Sequence, residues 1–234
     1  MTIAAVKPDK KKIIVAIDGP SGAGKSTLAK LLAQRLGYVN IDTGAMFRAV
    51  ALMAERAGVP PDDEIALANL CKGLTISFDF DCGSYKVLAN GEDVTSAIRT
   101  PEISLLTSVI STKKPVRDFL LGLQRSLGEQ GGVVLEGRDI GTVVFPSAQA
   151  KFFLSASIEK RAERRHKEIA EKGSFVTLQQ TVAEVNQRDE QDEKREHAPL
   201  CQAADAVLID STSLTLEEVL EKMTTVINEI TGER

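Results

Sequence analysis

Apolar and polar residues fall into blocks of different rhythm along the chain, and each block predicts an element. Ile13 to Ile17 form a continuous apolar run ending in Asp18-Gly19, the pattern of a strand buried on both faces of a parallel sheet. A glycine-rich turn follows, after which Leu28, Leu31, Leu32 and Leu36 recur at helical spacing, with Gly37 where a C-terminal cap belongs. Later apolar runs at 133–135 (VVL), 150–154 (AKFFL) and 206–209 (AVLI) alternate with helical segments. The fold predicted is therefore α/β, a parallel sheet flanked by crossover helices, with ligands at the C-terminal ends of its strands. One segment departs from that rhythm. In LTISFDFDCGSYKVLANGEDV, residues Ile76, Phe78 and Phe80 alternate with polar neighbours, and turn signals stand at Cys82-Gly83-Ser84 and Asn90-Gly91. This predicts a small antiparallel insertion. The charged stretch from Glu159 to Arg195 has helical periodicity with a break at Gly173-Ser174, as either a helical lid over the active site or a solvated helix pair.

At 234 residues and 43% apolar content, the chain can bury a substantial core without a disulfide or metal staple. One main domain over 13–234 is expected, preceded by a disordered, solvated arm over 1–12, since the apolar run that follows the arm is far shorter than a membrane span. A net charge of −4 disfavours a nucleic-acid partner, and nothing indicates a membrane one. The three cysteines are widely spaced and form no C-x-x-C, so neither a disulfide framework nor a zinc site is indicated, and a reducing cytoplasm fits.

The most informative segment is GPSGAGKS, Gly19 to Ser26, which satisfies G-x-x-x-x-G-K-[ST] between a predicted strand and a predicted helix. Glycines at 19, 22 and 24 let successive amides of Gly19, Pro20, Ser21, Gly22, Ala23, Gly24, Lys25, Ser26 and Thr27 approach phosphate oxygens at the positive end of the helix, proline contributing no donor. Lys25 supplies a charge that can follow a transferring phosphoryl group, and the Ser26 hydroxyl is placed for Mg²⁺. A regulatory GTPase would need N-K-x-D, which the chain lacks, and the VVL strand runs into Glu136-Gly137-Arg138-Asp139 rather than paired acids. A small-molecule phosphotransferase is favoured. Two alternatives remain, a P-loop kinase for another small metabolite and a nucleotide-binding switch without transferase activity.

An acceptor that is itself a phosphate needs no general base, because its attacking oxygen is already anionic. It needs charge neutralisation by arginines converging from several segments. Arg48, Arg117, Arg138 and Arg195 are the candidates. On a helix, Arg188, Asp192 and Arg195 share one face, which either clamps a sugar phosphate or forms an intrahelical salt-bridge ladder. Arg161, Arg164 and Arg165 either reach the donor phosphates or pair with Glu159, Glu163 and Glu168.

These segments together resemble the bacterial cytidylate kinases, the CMP/dCMP branch of the nucleoside monophosphate kinases. The resemblance rests on IDGPSGAGKST, DTGAMFRAV, NGEDVTSAIRTPEIS, EGRDIGTVVFP, R-x-x-x-D-x-x-R with APL after it, and ADAVLIDST, and it covers nearly all of the chain past the arm. It implies transfer of the ATP γ-phosphoryl group to CMP or dCMP with Mg²⁺, an acceptor-binding subdomain over about 43–116, a short helical lid over about 161–188, and a monomer. It further implies that Thr43, Arg48, Arg138 and Arg195 bind the acceptor phosphate, that Ser108, Arg117 and Asp139 read cytosine, and that Arg188 and Asp192 hold the ribose. Lys25, Arg138, Arg165 and Arg195 form the reacting set, Arg161 joins the ATP site, and Glu136 either orients a metal-bound water or simply ends a strand. Cytosine offers an amino donor beside two acceptors, which suits a carboxylate or hydroxyl next to an arginine, whereas uracil reverses two of those positions. The family commonly carries tyrosine where Phe47 stands, so only a packing role against CMP is expected there. Asp42, with no base required, is read as a turn or helix-capping residue.

Overall fold

The structure, a computed structural model, describes residues 12–81, 84–171 and 176–232. From the N-terminal side the chain forms β1 (Ile14–Asp18), α1 (Lys25–Leu36), β2 (Val39–Asp42) and α2 (Thr43–Arg56). Next come α3 (Glu64–Lys72), β3 (Ile76–Asp81), β4 (Ser84–Ala89), β5 (Glu92–Asp93), α4 (Pro101–Ile110) and α5 (Lys114–Gly128). The remainder comprises β6 (Val133–Gly137), β7 (Ala150–Ser155), α6 (Ile158–Glu171), α7 (Leu178–Lys194), β8 (Val207–Asp210) and α8 (Leu216–Thr231).

Five strands form one sheet in the order β2-β6-β1-β7-β8, with every pair parallel. The first apolar run of the chain thus becomes the central strand, and Val15, Ala16 and Ile17 are wholly buried. One face packs under α1 and α8 through Leu28, Leu32, Val219 and Met223, so the leucine periodicity read from the sequence is the buried stripe of α1. The other face, with Ala16, Ile41 and Leu135, is covered by a wide turn over 140–144 and by Phe145. Register decides what stands at the strand ends. Asp18 pairs with Gly137 and Asp42 with Glu136, so three carboxylates from distant segments line up along the C-terminal edge of β1, β2 and β6.

The antiparallel insertion is present as β3-β4-β5. Asn90 and Gly91 both take positive φ, at 51° and 83°, which builds the tight turn between β4 and β5. Cys82-Gly83 and the Gly173-Ser174 break lie outside the described residues, as does the arm before Lys12. Together with α2 to α5 the insertion encloses its own apolar core, from Ala45 to Leu120. Among the described residues no helix is long and apolar enough to cross a membrane.

Candidate active site

A cleft of about 1670 Å³ opens at the C-terminal ends of β1, β2 and β6, between the core sheet and the unit enclosing the insertion. Its lining carries ten basic and six acidic side chains, in a chain whose net charge is −4. The cleft is therefore a local concentration of positive charge suited to polyanionic ligands.

Its donor half is built from backbone. Ser21 through Thr27 line the cleft, while Gly19 and Pro20 lie below it. Asp or Thr side chains cap the first-turn amides of α2, α3, α4, α7 and α8, but α1 starts at Gly24, in the left-handed region with φ 95°, with no side-chain cap. No acidic residue stands in its first turn either, so the positive end of α1 is open to an anion. Lys25 is buried at the base of the loop and its Nζ donates to the Pro20 carbonyl at 2.6 Å. Burial, with Arg138 adding like charge, brings its ammonium down to about 7, although Glu136 pulls the other way. Ser26 Oγ donates to Glu136 Oε2 at 2.8 Å, and Glu136 Oε1 is buried without a partner. Burial and the nearby Asp42 push Glu136 up to about 7.

The acceptor half is built from side-chain ion pairs. Arg48 Nη2 meets Asp42 Oδ2 at 2.6 Å, and the other Asp42 oxygen accepts the Ala45 amide at 3.0 Å, making Asp42 the N-cap of α2 as the sequence suggested. Burial opposes the Asp42 charge, yet Arg48 and the Ala45 amide outweigh it and hold the carboxyl below the usual range. Arg117 Nη2 pairs with Asp139 and its guanidinium stacks over the Phe47 ring, 5.5 Å from the centroid. Arg138 Nε donates to Asp192 Oδ2 at 2.7 Å. Arg195 lies 3.7 Å from both Asp139 and Asp192. The APL segment explains how Arg195 is aimed: Ala198 adopts φ 50°, its carbonyl accepts Arg195 Nε at 2.6 Å, and the Leu200 amide donates to the Asp192 carbonyl at 2.8 Å. Arg188 also lines the cleft, and burial beside Arg138 lowers it to about 10. Crowded guanidiniums of this kind stabilise an incoming anion.

Three expected residues stand differently. Thr43 lines the cleft, but its hydroxyl donates to the Glu136 carbonyl at 2.7 Å, bracing β6. Ser108 lies outside the lining; its hydroxyl turns back to the Ser104 carbonyl at 3.3 Å, and Ser104, Thr107 and Ser111 face the cleft in its stead. A hydroxyl on a helix can bond back to the carbonyl one turn earlier, and that of Ser108 does so. Arg161 is buried behind the phosphate loop rather than in the cleft, while Arg165 lines the cleft and pairs with Glu168 at 3.1 Å.

Some residues escaped the sequence reading altogether. Asp18 accepts the Ile140 and Gly141 amides at 2.8 and 2.7 Å, which fixes the turn that carries Arg138 and Asp139. Burial raises its carboxyl to about 6 although both amide bonds oppose the shift. The available signal was a charged residue ending an otherwise apolar strand. Tyr85, whose hydroxyl lies 3.4 Å from Asp42 Oδ2, and Arg99 both line the cleft from the insertion and its flank. No local pattern marks either.

Comparison with known proteins agrees with this geometry. The family model described as Cytidylate kinase matches residues 15–229. A cytidylate kinase of Citrifermentans bemidjiense is 65% identical over 93% of this chain and 93% of its own length. Those of Geobacter sulfurreducens and Caldicellulosiruptor saccharolyticus are 62% and 47% identical, covering 94% and 95% of this chain and 94% and 98% of their own. Among solved structures, a shikimate kinase from Bacteroides thetaiotaomicron has a TM-score of 0.50 at 14% identity, covering 95% of this chain and 99% of its own, a likeness of fold alone.

Proposed function

The chain belongs to the cytidylate kinase family and phosphorylates CMP or dCMP with ATP, and from that premise we propose how its residues divide the work. The observation that carries the proposal is the convergence of Arg48, Arg117, Arg138 and Arg195, from four separate segments, on the cleft that faces Lys25. The loop amides of Ser21 to Thr27, with Lys25, hold the ATP β- and γ-phosphates at the open end of α1. The acceptor phosphate binds Arg48, Arg138 and Arg195. Its oxygen attacks in line on the γ-phosphorus, the bond to the β–γ bridging oxygen breaks, and ADP leaves with CDP or dCDP. No base takes part, and negative charge spreading over the transferring oxygens is met by Lys25, Arg138, Arg165 and Arg195. A lysine brought to about 7 by burial recovers its full charge when the phosphates enter, because the anion beside it favours the ammonium.

Mg²⁺ fits the oxygen pair Ser26 Oγ and Glu136, whose second oxygen is buried and unpartnered. Ser26 would hold the ion, with Glu136 orienting a bound water, and when bound it offsets charge on the β- and γ-phosphates. Cytosine is read by Asp139 with Arg117, above the Phe47 ring, and the ribose by Arg188 and Asp192. Ser108 belongs to the same base-reading set once its hydroxyl leaves the Ser104 carbonyl, and Arg161 serves the ATP loop from behind. The protein acts as a cytoplasmic monomer on small molecules, without nucleic-acid or membrane partners.

Coupled ADP release measured across CMP, dCMP, UMP and AMP tests this reading. CMP and dCMP should be turned over in clear preference to the other two, and a preference for UMP or AMP would sink the base-reading assignment. A shikimate or sugar-acid acceptor gains nothing from a likeness confined to fold.

A further inference from the structure

Arg161 is buried and makes three contacts to three different parts of the molecule. Its Nε donates to the Ala156 carbonyl at 2.9 Å, and its Nη1 donates both to the Ser21 carbonyl at 3.1 Å and to Asp189 Oδ2. Ser21 belongs to the phosphate loop, and Asp189 to the helix that carries Arg188 and Asp192. The loop also lies directly on the start of α6: a Cβ added to Gly22, which has φ 76°, would meet the Arg161 carbonyl at 2.8 Å and its Cβ at 3.0 Å. One turn further on, Arg164 reaches the Ala23 carbonyl at 3.3 Å and is itself anchored to the Ser211 carbonyl at 2.8 Å. Two alternate carbonyls of the loop thus accept from guanidinium groups, that of Ser21 from Arg161 buried behind the loop and that of Ala23 from Arg164 at the edge of the cleft. In a planar trans peptide the carbonyl and the following N–H point in opposite directions, so holding the Ser21 carbonyl back turns the Gly22 amide toward the cleft.

We propose that Arg161 and Asp189 form a positioning pair that couples the seating of the phosphate loop to the seating of α7, and so links the donor and acceptor halves of the site. Asp189 lies one residue from Arg188 and three from Asp192, whose carboxylate holds Arg138. A shift at Asp189 therefore rotates the acceptor side chains, and a shift at Arg161 releases a loop carbonyl. The fork of Arg161 is what joins them, since a lysine has one nitrogen where three directed contacts are needed. This inference rests on the donor and acceptor assignments above.

The test uses the full chain with Asp189→Asn, Arg161→Lys and the double variant, titrating ATP and CMP separately at saturating partner. Each single variant should raise KM for both substrates about tenfold, and the double variant should be no worse than either single, the signature of one shared interaction. A melting temperature near that of the unaltered protein confirms that folding is retained. If Arg161→Lys does not fold, Asp189→Asn alone decides by the same paired readout. Asp189→Asn that leaves KM for ATP within twofold of the unaltered value overturns the coupling, as does a double variant with additive effects. Loss confined to ATP in Arg161→Lys would make that residue an ATP ligand and also overturns it. An unaltered chain without CMP-dependent ADP release would fail at the functional reading itself, whereas an active chain with unmoved variants fails only here.

Discussion

On the assignment proposed above, the two halves of this cleft solve the same problem, holding phosphate, by opposite means. The half proposed for the donor is one continuous stretch, Ser21 to Thr27, which offers backbone amides at an uncapped helix end. The half proposed for the acceptor draws on β2, α2, α5, the turn after β6, and α7, and it offers guanidiniums that already have partners in Asp42, Asp139 and Asp192. Backbone donors are fixed by local conformation and tolerate changes of side chain. Guanidiniums must be aimed, and the aspartates do the aiming while offsetting the mutual repulsion of Arg48, Arg117, Arg138 and Arg195. A backbone site offers geometry with little discrimination; a side-chain site offers discrimination and is more fragile.

The largest expected contrast comes from removing one cation on each side. Lys25→Met should cut kcat by about 10³-fold, and Arg138→Ala should cut kcat/KM for CMP by about 10²- to 10³-fold while ATP binding stays within a few fold. Equal loss of ATP affinity in Arg138→Ala, measured by titration calorimetry, would break the division between the halves. Next in size is Asp139→Asn, which exchanges an acceptor for a donor opposite the base and should raise the UMP to CMP ratio of kcat/KM by at least about tenfold. An unchanged ratio in the coupled assay would remove Asp139 from base reading. Smallest is Ser108→Ala, whose hydroxyl must first give up its bond within α4; KM for CMP should move by no more than about threefold. A tenfold rise would show that the hydroxyl turns into the cleft at little cost when CMP binds.

That contrast also governs how much was legible beforehand. The phosphate loop, the central strand and α1 were readable because their determinants lie within nine, five and twelve neighbouring residues, and local periodicity carries them. The insertion was readable for the same reason, through period-two alternation and Asn90-Gly91. Arg48, Arg117, Arg138 and Arg195 were candidates on chemistry and resemblance, and so were Asp139 and Asp192, but which carboxylate pairs with which arginine was not legible, because Arg138 and Asp192 are 54 residues apart and meet only in the fold. The Ser108 hydroxyl is taken up by the Ser104 carbonyl one turn back, and Arg161 is buried behind the loop it was expected to serve. Tyr85 and Arg99 left no local signature, and Asp18 only that of a charge ending an apolar strand, since each matters through a neighbour supplied by another segment.

By itself the sequence determined the α/β fold, the phosphate loop and the chemistry of the acceptor, because hydrophobic period, glycine placement and residue type act over one or a few turns of chain. The register of β1, β2 and β6, the pairing of each arginine with its aspartate and the tie from Ser21 through Arg161 to Asp189 were decided by tertiary structure alone. The physical reason is range. Charge pairing and burial depend on distances in space, and those distances exist only once the strands have closed into one sheet.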